Sequence, residues 1–135
     1  MKKKAGLFLV AALMLTGCGT QTDDTEMHYV KTSVLYDTLV DMYSNPDDYL
    51  GKNYHMVGTL YPTTDDDETF YSIYADGTGG AEGLGLELDW DDFSAYKDFD
   101  TIMVEGKIDR VTATHEGKEI TYLVMRVSQI EKRDE

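Results

Sequence analysis

Two stretches of alternating apolar and polar residues, Thr101 to Thr112 and Glu119 to Ile130, flank His115-Glu116-Gly117-Lys118 and constrain this chain more than any other feature. Period-two alternation marks a strand with one buried face, and a glycine in a four-residue link suits a hairpin turn. A long β-hairpin is therefore expected near the C-terminus. From Asn53 the same period sets Tyr54, Met56, Gly58 and Leu60 on one side, with His55, Val57, Thr59 and Tyr61 on the other. Pro62 is expected to end that strand and Thr63 to Glu68 to form an acidic loop. Thr69 to Ala75 reads as a strand with Phe70, Ser72 and Tyr74 opposite Tyr71 and Ile73, and Leu84 to Trp90 as the next.

Helical spacing occurs twice. Val34, Leu35, Leu39, Val40, Met42 and Tyr43 fall near a 3.6-residue repeat, which predicts an amphipathic helix capped by Ser33 and stopped before Pro46. Asn45-Pro46-Asp47-Asp48-Tyr49 suits a further short turn. Phe93, Tyr96 and Phe99 stand three apart within Asp91 to Asp100, which predicts a short helix over the end of the sheet. Gly58 and Gly106 interrupt apolar strands, as glycine does at a bulge or a sharp corner. The expected fold is mostly β with minor α: a five-stranded, partly closed barrel of the OB-fold kind, preceded by an N-terminal amphipathic helix.

The first 17 residues read as a signal peptide: Lys2, Lys3 and Lys4 precede an apolar run from Ala5 to Leu15. Eleven residues are too few to cross a bilayer core as a helix, which takes about twenty. Leu15-Thr16-Gly17-Cys18 resembles the lipobox of bacterial lipoproteins, where the cysteine receives a diacylglyceryl group and becomes the first mature residue. That resemblance implies lipidation of Cys18, palmitate-type acylation, and residence on the extracytoplasmic face of the cell membrane. Residues 18–32 are expected to be the lipidated cysteine and a flexible acidic tether, and residues 33–135 the OB-fold-like domain.

A second resemblance rests on Asn45-Pro46-Asp47-Asp48-Tyr49-Leu50-Gly51-Lys52 running into Tyr54-His55-Met56-Val57-Gly58, then Tyr74-Ala75-Asp76-Gly77-Thr78 and Gly83-Leu84-Gly85-Leu86-Glu87-Leu88. These segments are similar to a group of OB-like lipoproteins of Gram-positive bacteria whose roles are not defined. Members of that group often carry a cysteine pair after the Asp-x-Thr step. This chain has Gly79-Gly80-Ala81 there, so thiol chemistry does not carry over.

Charge narrows the partners. Without Lys2 to Lys4 the chain keeps nine basic groups against 26 acidic ones, a net charge of −17, and from this no nucleic-acid partner is expected. Asp65, Asp66, Asp67 and Glu68, with Asp89, Asp91 and Asp92 further on, supply clustered oxygens of the kind calcium takes, although their spacing matches no EF-hand. No other cofactor is expected. Asp76-Gly77-Thr78-Gly79-Gly80 lacks the cation and the Lys-Ser/Thr ending of a phosphate loop. His28, His55 and His115 suggest no catalytic triad, and no nucleophile is nominated, so an enzyme is not expected.

Aromatic side chains remain. Tyr54, Tyr61, Tyr71, Tyr74 and Trp90 lie on expected strands, and such residues on an OB-fold sheet stack ligands. The functional expectation is a lipid-anchored, non-enzymatic binding module of the bacterial envelope that uses these aromatics to engage a protein, peptide or glycan. The alternative is a calcium-responsive domain built on Asp65 to Glu68.

Overall fold

The computed structural model describes residues 26–133. The expected signal peptide, Cys18 and the first part of the tether lie outside the described residues. The C-terminal hairpin forms as its alternation dictates. Strands β5 (Thr101–His115) and β6 (Lys118–Lys132) pair antiparallel, and Glu116 and Gly117 make the link with φ of 53° and 79°. Two positive φ values in a two-residue turn match the twist of the strands they join.

Strands β2 (Asn53–Asp65), β3 (Glu68–Ala75) and β4 (Leu84–Asp89) complete the barrel. The pairing runs β2-β3-β4-β6-β5, with β4 parallel to β6, and β5 returns to pair with the first half of β2. That closed order is the OB-fold arrangement, so the mostly β, barrel-type fold expected from the alternation is the one present. Met56, Leu60, Ile73, Leu86, Ile102 and Met125 fill it and are fully buried.

Helix α1 (Leu35–Ser44) docks Leu35, Leu39 and Met42 into the same core. Each such burial contributes about 1.5 to 3 kcal/mol. Val34, Val40 and Tyr43 were expected on the same buried face but are about two-fifths exposed, so the docked stripe is narrower than the sequence pattern. Ser33 does not cap the helix; it sits in a 3₁₀ turn, Thr32–Val34, that leads into it. Leu35 penetrates deeply because Gly58 leaves room: a Cβ there would lie 2.8 Å from Leu35 Cδ2 and 2.9 Å from Ile73 Cγ1. Gly106 marks the expected bulge, since Glu105 pairs with Gln129 but Gly106 with Val127, leaving Ser128 as the extra residue.

Three expectations are corrected. Residues 27 to 32 are not tether: β1 (Met27–Tyr29) pairs parallel with Asn53 to His55, His28 stacks on Tyr54, and Val30 donates its amide to His55 O. Pro62 does not end β2. Leu60 donates its amide to Asp100 O on the β5 side, so the next amide facing that way is that of Pro62, beyond Thr59–Thr101 where β5 pairing ends. A missing donor costs nothing on an unpaired edge. The Thr63 to Glu68 loop is consequently a two-residue turn, Asp66 and Asp67 at φ 51° and 70°, and aspartate is one of the few side chains that tolerates this region.

The third correction is the helix expected over Asp91 to Asp100, which is a run of turns. Asp92 Oδ1 accepts the Ser94 amide at 2.9 Å and Asp100 Oδ2 accepts the Lys97 amide at 2.9 Å. Carboxylates that capture local amides compete with helix hydrogen bonds. Phe93 and Tyr96 still cover the core, whereas Phe99, at φ 71°, turns outward.

Candidate functional site

Alternation on β3 and β4 decides which side chains are available to a ligand. Ile73, Leu86 and Leu88 point into the core, which leaves Phe70, Ser72 and Glu87 on the opposite face. A cleft of about 660 Å³ lies over that face, between the β2–β3 turn and the β5–β6 hairpin. Phe70, Ile120, Tyr122 and Tyr43 supply its apolar and aromatic walls, and Asp65, Asp66, Glu68 and Glu87 its carboxylates. Volumes of about 300 to 1,000 Å³ are usual for ligand sites. Tyr43 reaches the cleft from the end of α1 and donates its hydroxyl to Gly85 O at 2.6 Å.

A second cleft of about 440 Å³ adjoins the first and shares Glu68, Phe70, Glu87 and Tyr122 with it. Trp90, Tyr71 and Phe93 line its far side, with the rings of Tyr71 and Phe93 4.5 Å apart. Arg126 is the one cationic side chain among the described residues lining either cleft. Its guanidinium is occupied, donating to Asp89 Oδ2 at 2.6 Å and to Asp109 Oδ2 at 3.0 Å.

The five aromatics nominated from sequence do not form one surface. Tyr54 is buried, 7% exposed, between His28 and Tyr49, and belongs to the core. Tyr61 and Tyr74 stack at 4.5 Å, and Phe99 meets Tyr61 edge-on at 5.5 Å, making a small exposed patch. Tyr71 and Trp90 belong to the second cleft. Asp65 and Glu68 pair across the base of a turn made by Asp66 and Asp67; among the described residues no three His, Cys, Asp or Glu side chains are placed to hold a metal ion.

Sequence reasoning passed over Glu87, Phe70 and Ile120. The signal was present at Leu86-Glu87-Leu88, where a carboxylate between two core leucines must face outward. Glu87 is half-buried, and its carboxyl is held above the ordinary value, first by desolvation and then by the charge of Asp89. The same carboxylate, after burial, raises the Tyr43 phenol. It also raises that of Tyr122, again second to desolvation, with Arg126 opposing and Asp89 adding.

An acid whose folded pKa is raised favours folding most when protonated. That contribution is complete below the unfolded-state pKa and is lost as pH rises from there through the folded-state pKa. Glu87→Gln is therefore expected to raise the melting temperature near neutral pH and to leave it unchanged at about pH 3.5, where the carboxyl is protonated in both states. Thermal scans at the two pH values check this; a lower neutral melting temperature in the variant would show the charge to be stabilising.

No protein-family model matches the chain, and no curated protein does. Among solved structures it is similar to the mitochondrial single-stranded DNA binding protein Rim1 from S. cerevisiae, with 14% identity and a TM-score of 0.37. It is also similar to the small single-stranded DNA-binding protein from Streptomyces coelicolor, with 11% identity and a TM-score of 0.39. Each comparison covers 60% of this chain and 93% of the other. Both of these are structures of single-stranded DNA-binding proteins, and the expectation of no nucleic-acid partner is corrected accordingly.

Proposed function

We propose that this chain is a non-enzymatic binding module of the bacterial cell envelope, held at the extracytoplasmic face of the cell membrane by a diacylglyceryl group on Cys18, and that it receives its ligand in the cleft over β3 and β4. The observation that carries the binding half is the position of that cleft. It lies across the second and third barrel strands, between the hairpin tips joining strands one to two and four to five, where OB-folds take ligands. Lys2 to Lys4, the eleven-residue apolar run and Leu15-Thr16-Gly17-Cys18 support the anchoring half. Two acyl chains hold a protein stably where one does not, at about 0.8 kcal/mol per buried methylene.

The two halves are tested separately in bacterial cells expressing the full chain. Cys18→Ser is expected to abolish incorporation of an alkyne-tagged fatty acid and to move the protein out of the membrane fraction. A variant that still takes the label, or a wild type that never does, would remove the anchor. A photoreactive residue at position 120 is expected to form adducts that one at position 37, on the exposed side of α1, does not. Equal yields at the two positions would remove the cleft.

A further inference from the structure

Glu87 stands on the wall between the two clefts, half-buried and, among the described residues, without a cationic partner. The clefts also hold Asp66, Glu68, Asp89 and Asp91, and the one lining cation among the described residues is the Arg126 guanidinium, which two aspartates already occupy. Phe70, Ile120 and Tyr122 lie among these carboxylates, and Ile120 is 42% exposed. A surface of this kind is complementary to a ligand that carries positive charge and apolar bulk on one face. Free polyamines have the charge without the bulk.

We propose that the cleft takes an extended polypeptide segment in which lysine or arginine side chains stand two residues to either side of an apolar one, the cations meeting Glu87 and Glu68 and the apolar side chain resting on Phe70 and Tyr122. The inference rests on the cleft being the binding site, as argued above. An extended chain repeats at about 3.3 Å per residue, so its alternate side chains fall on one face and neighbouring ones on the other. A segment laid across β3 and β4 can therefore turn a cation and an apolar group two residues apart toward the one face that carries Glu68, Phe70 and Glu87. Leaving a desolvated carboxylate unpaired on the open face costs stability, and this is the cost that a cationic ligand removes. Such residues are commonly kept for function at the expense of stability.

The test uses the full chain in non-ionic detergent and fluorescein-labelled nine-residue peptides with serine at every even position and, at the odd positions, alternating lysine and leucine, alternating glutamate and leucine, or alternating lysine and serine, read by anisotropy. The lysine-leucine peptide is expected to bind, and the other two to bind more weakly by about tenfold or more. Glu87→Gln is expected to weaken lysine-leucine binding about fivefold while the protein stays folded. Glu131→Gln, the same change in charge beside Met103 and away from the clefts, is expected to leave binding unchanged.

Equal binding of the lysine-leucine and glutamate-leucine peptides, or equal losses in Glu87→Gln and Glu131→Gln, would overturn the proposal by reducing it to net charge. A thymidine oligonucleotide that binds more tightly than any peptide and displaces the lysine-leucine one would overturn it in favour of nucleic acid. Absence of peptide binding alongside adducts confined to position 120 would reject this ligand class and leave the cleft standing. Absence of both would reject the two together.

Discussion

Gly106→Ala is expected to lower the unfolding free energy by about 3 kcal/mol, the upper end of what overpacking a barrel interior costs. The cause is local and severe. A Cβ at this position would lie 2.3 Å from Arg126 O and 2.7 Å from Met125 Cγ, and the first of these is backbone, which no side-chain rotation relieves. Relief requires β5 and β6 to separate at the register shift between Glu105 and Gly106, where Ser128 Oγ donates to Glu105 O at 3.1 Å. Tyr54 faces Gly106 across the β2–β5 pairing that closes the barrel, so the strain reaches the closure. Urea unfolding of the variant measures it, and a loss below about 1 kcal/mol would mean that the two strands part easily there.

Leu39→Ala is expected to cost a similar amount, about 3 kcal/mol, because Leu39 is fully buried and its removal leaves a cavity that neighbours fill only in part. The same change carries a functional signature. α1 positions Tyr43, whose hydroxyl donates to Gly85 O at the edge of the cleft, so a loosened helix is expected to lose ligand affinity as well as stability. Val40, one residue further on and 40% exposed, supplies the control: Val40→Ala is expected to stay within about 0.5 kcal/mol of wild type. Equal losses at positions 39 and 40 would contradict the way α1 is docked.

Both sites show what could be read from residues alone. Period two on β5 and β6 defines strands, and a glycine after Glu116 defines their turn, because each signal is local. Gly106 was legible as an irregularity for the same reason. Pro62 was misread because the absence of a strand beside it is a tertiary fact, fixed by where β5 begins at Thr101. Asp66 and Asp67 were misread because acidic residues signal loops in general, whereas here two of them make the tightest link available. Val40 was placed with Leu39 because a helical repeat gives the centre of a buried stripe and not its width.

The candidate site was harder to read than the fold. Tyr54 and Tyr61 are seven residues apart on one strand, so alternation alone sets them on opposite faces, and a common binding surface was never open to both. Tyr71 and Tyr74 are separated in the same way by their three-residue spacing. Glu87 carries no motif; that it shares a cleft with Glu68, Phe70 and Tyr122 is set by the pairing of other strands. Composition reports 26 acidic residues without saying which of them are half-buried.

The alternation on β3 and β4 has a consequence for how such a chain can change over time. Core residues Ile73, Leu86 and Leu88 occupy one parity of these strands, and Phe70, Ser72 and Glu87 the other. Folding instructions and recognition instructions are thus written on interleaved letters of the same two words. Exchanging letters of the second set rewrites what the surface accepts and leaves the barrel intact, so new specificities are reachable by single substitutions. Inserting one residue does the reverse, because it exchanges the two sets wholesale and turns a carboxylate inward where a leucine was required.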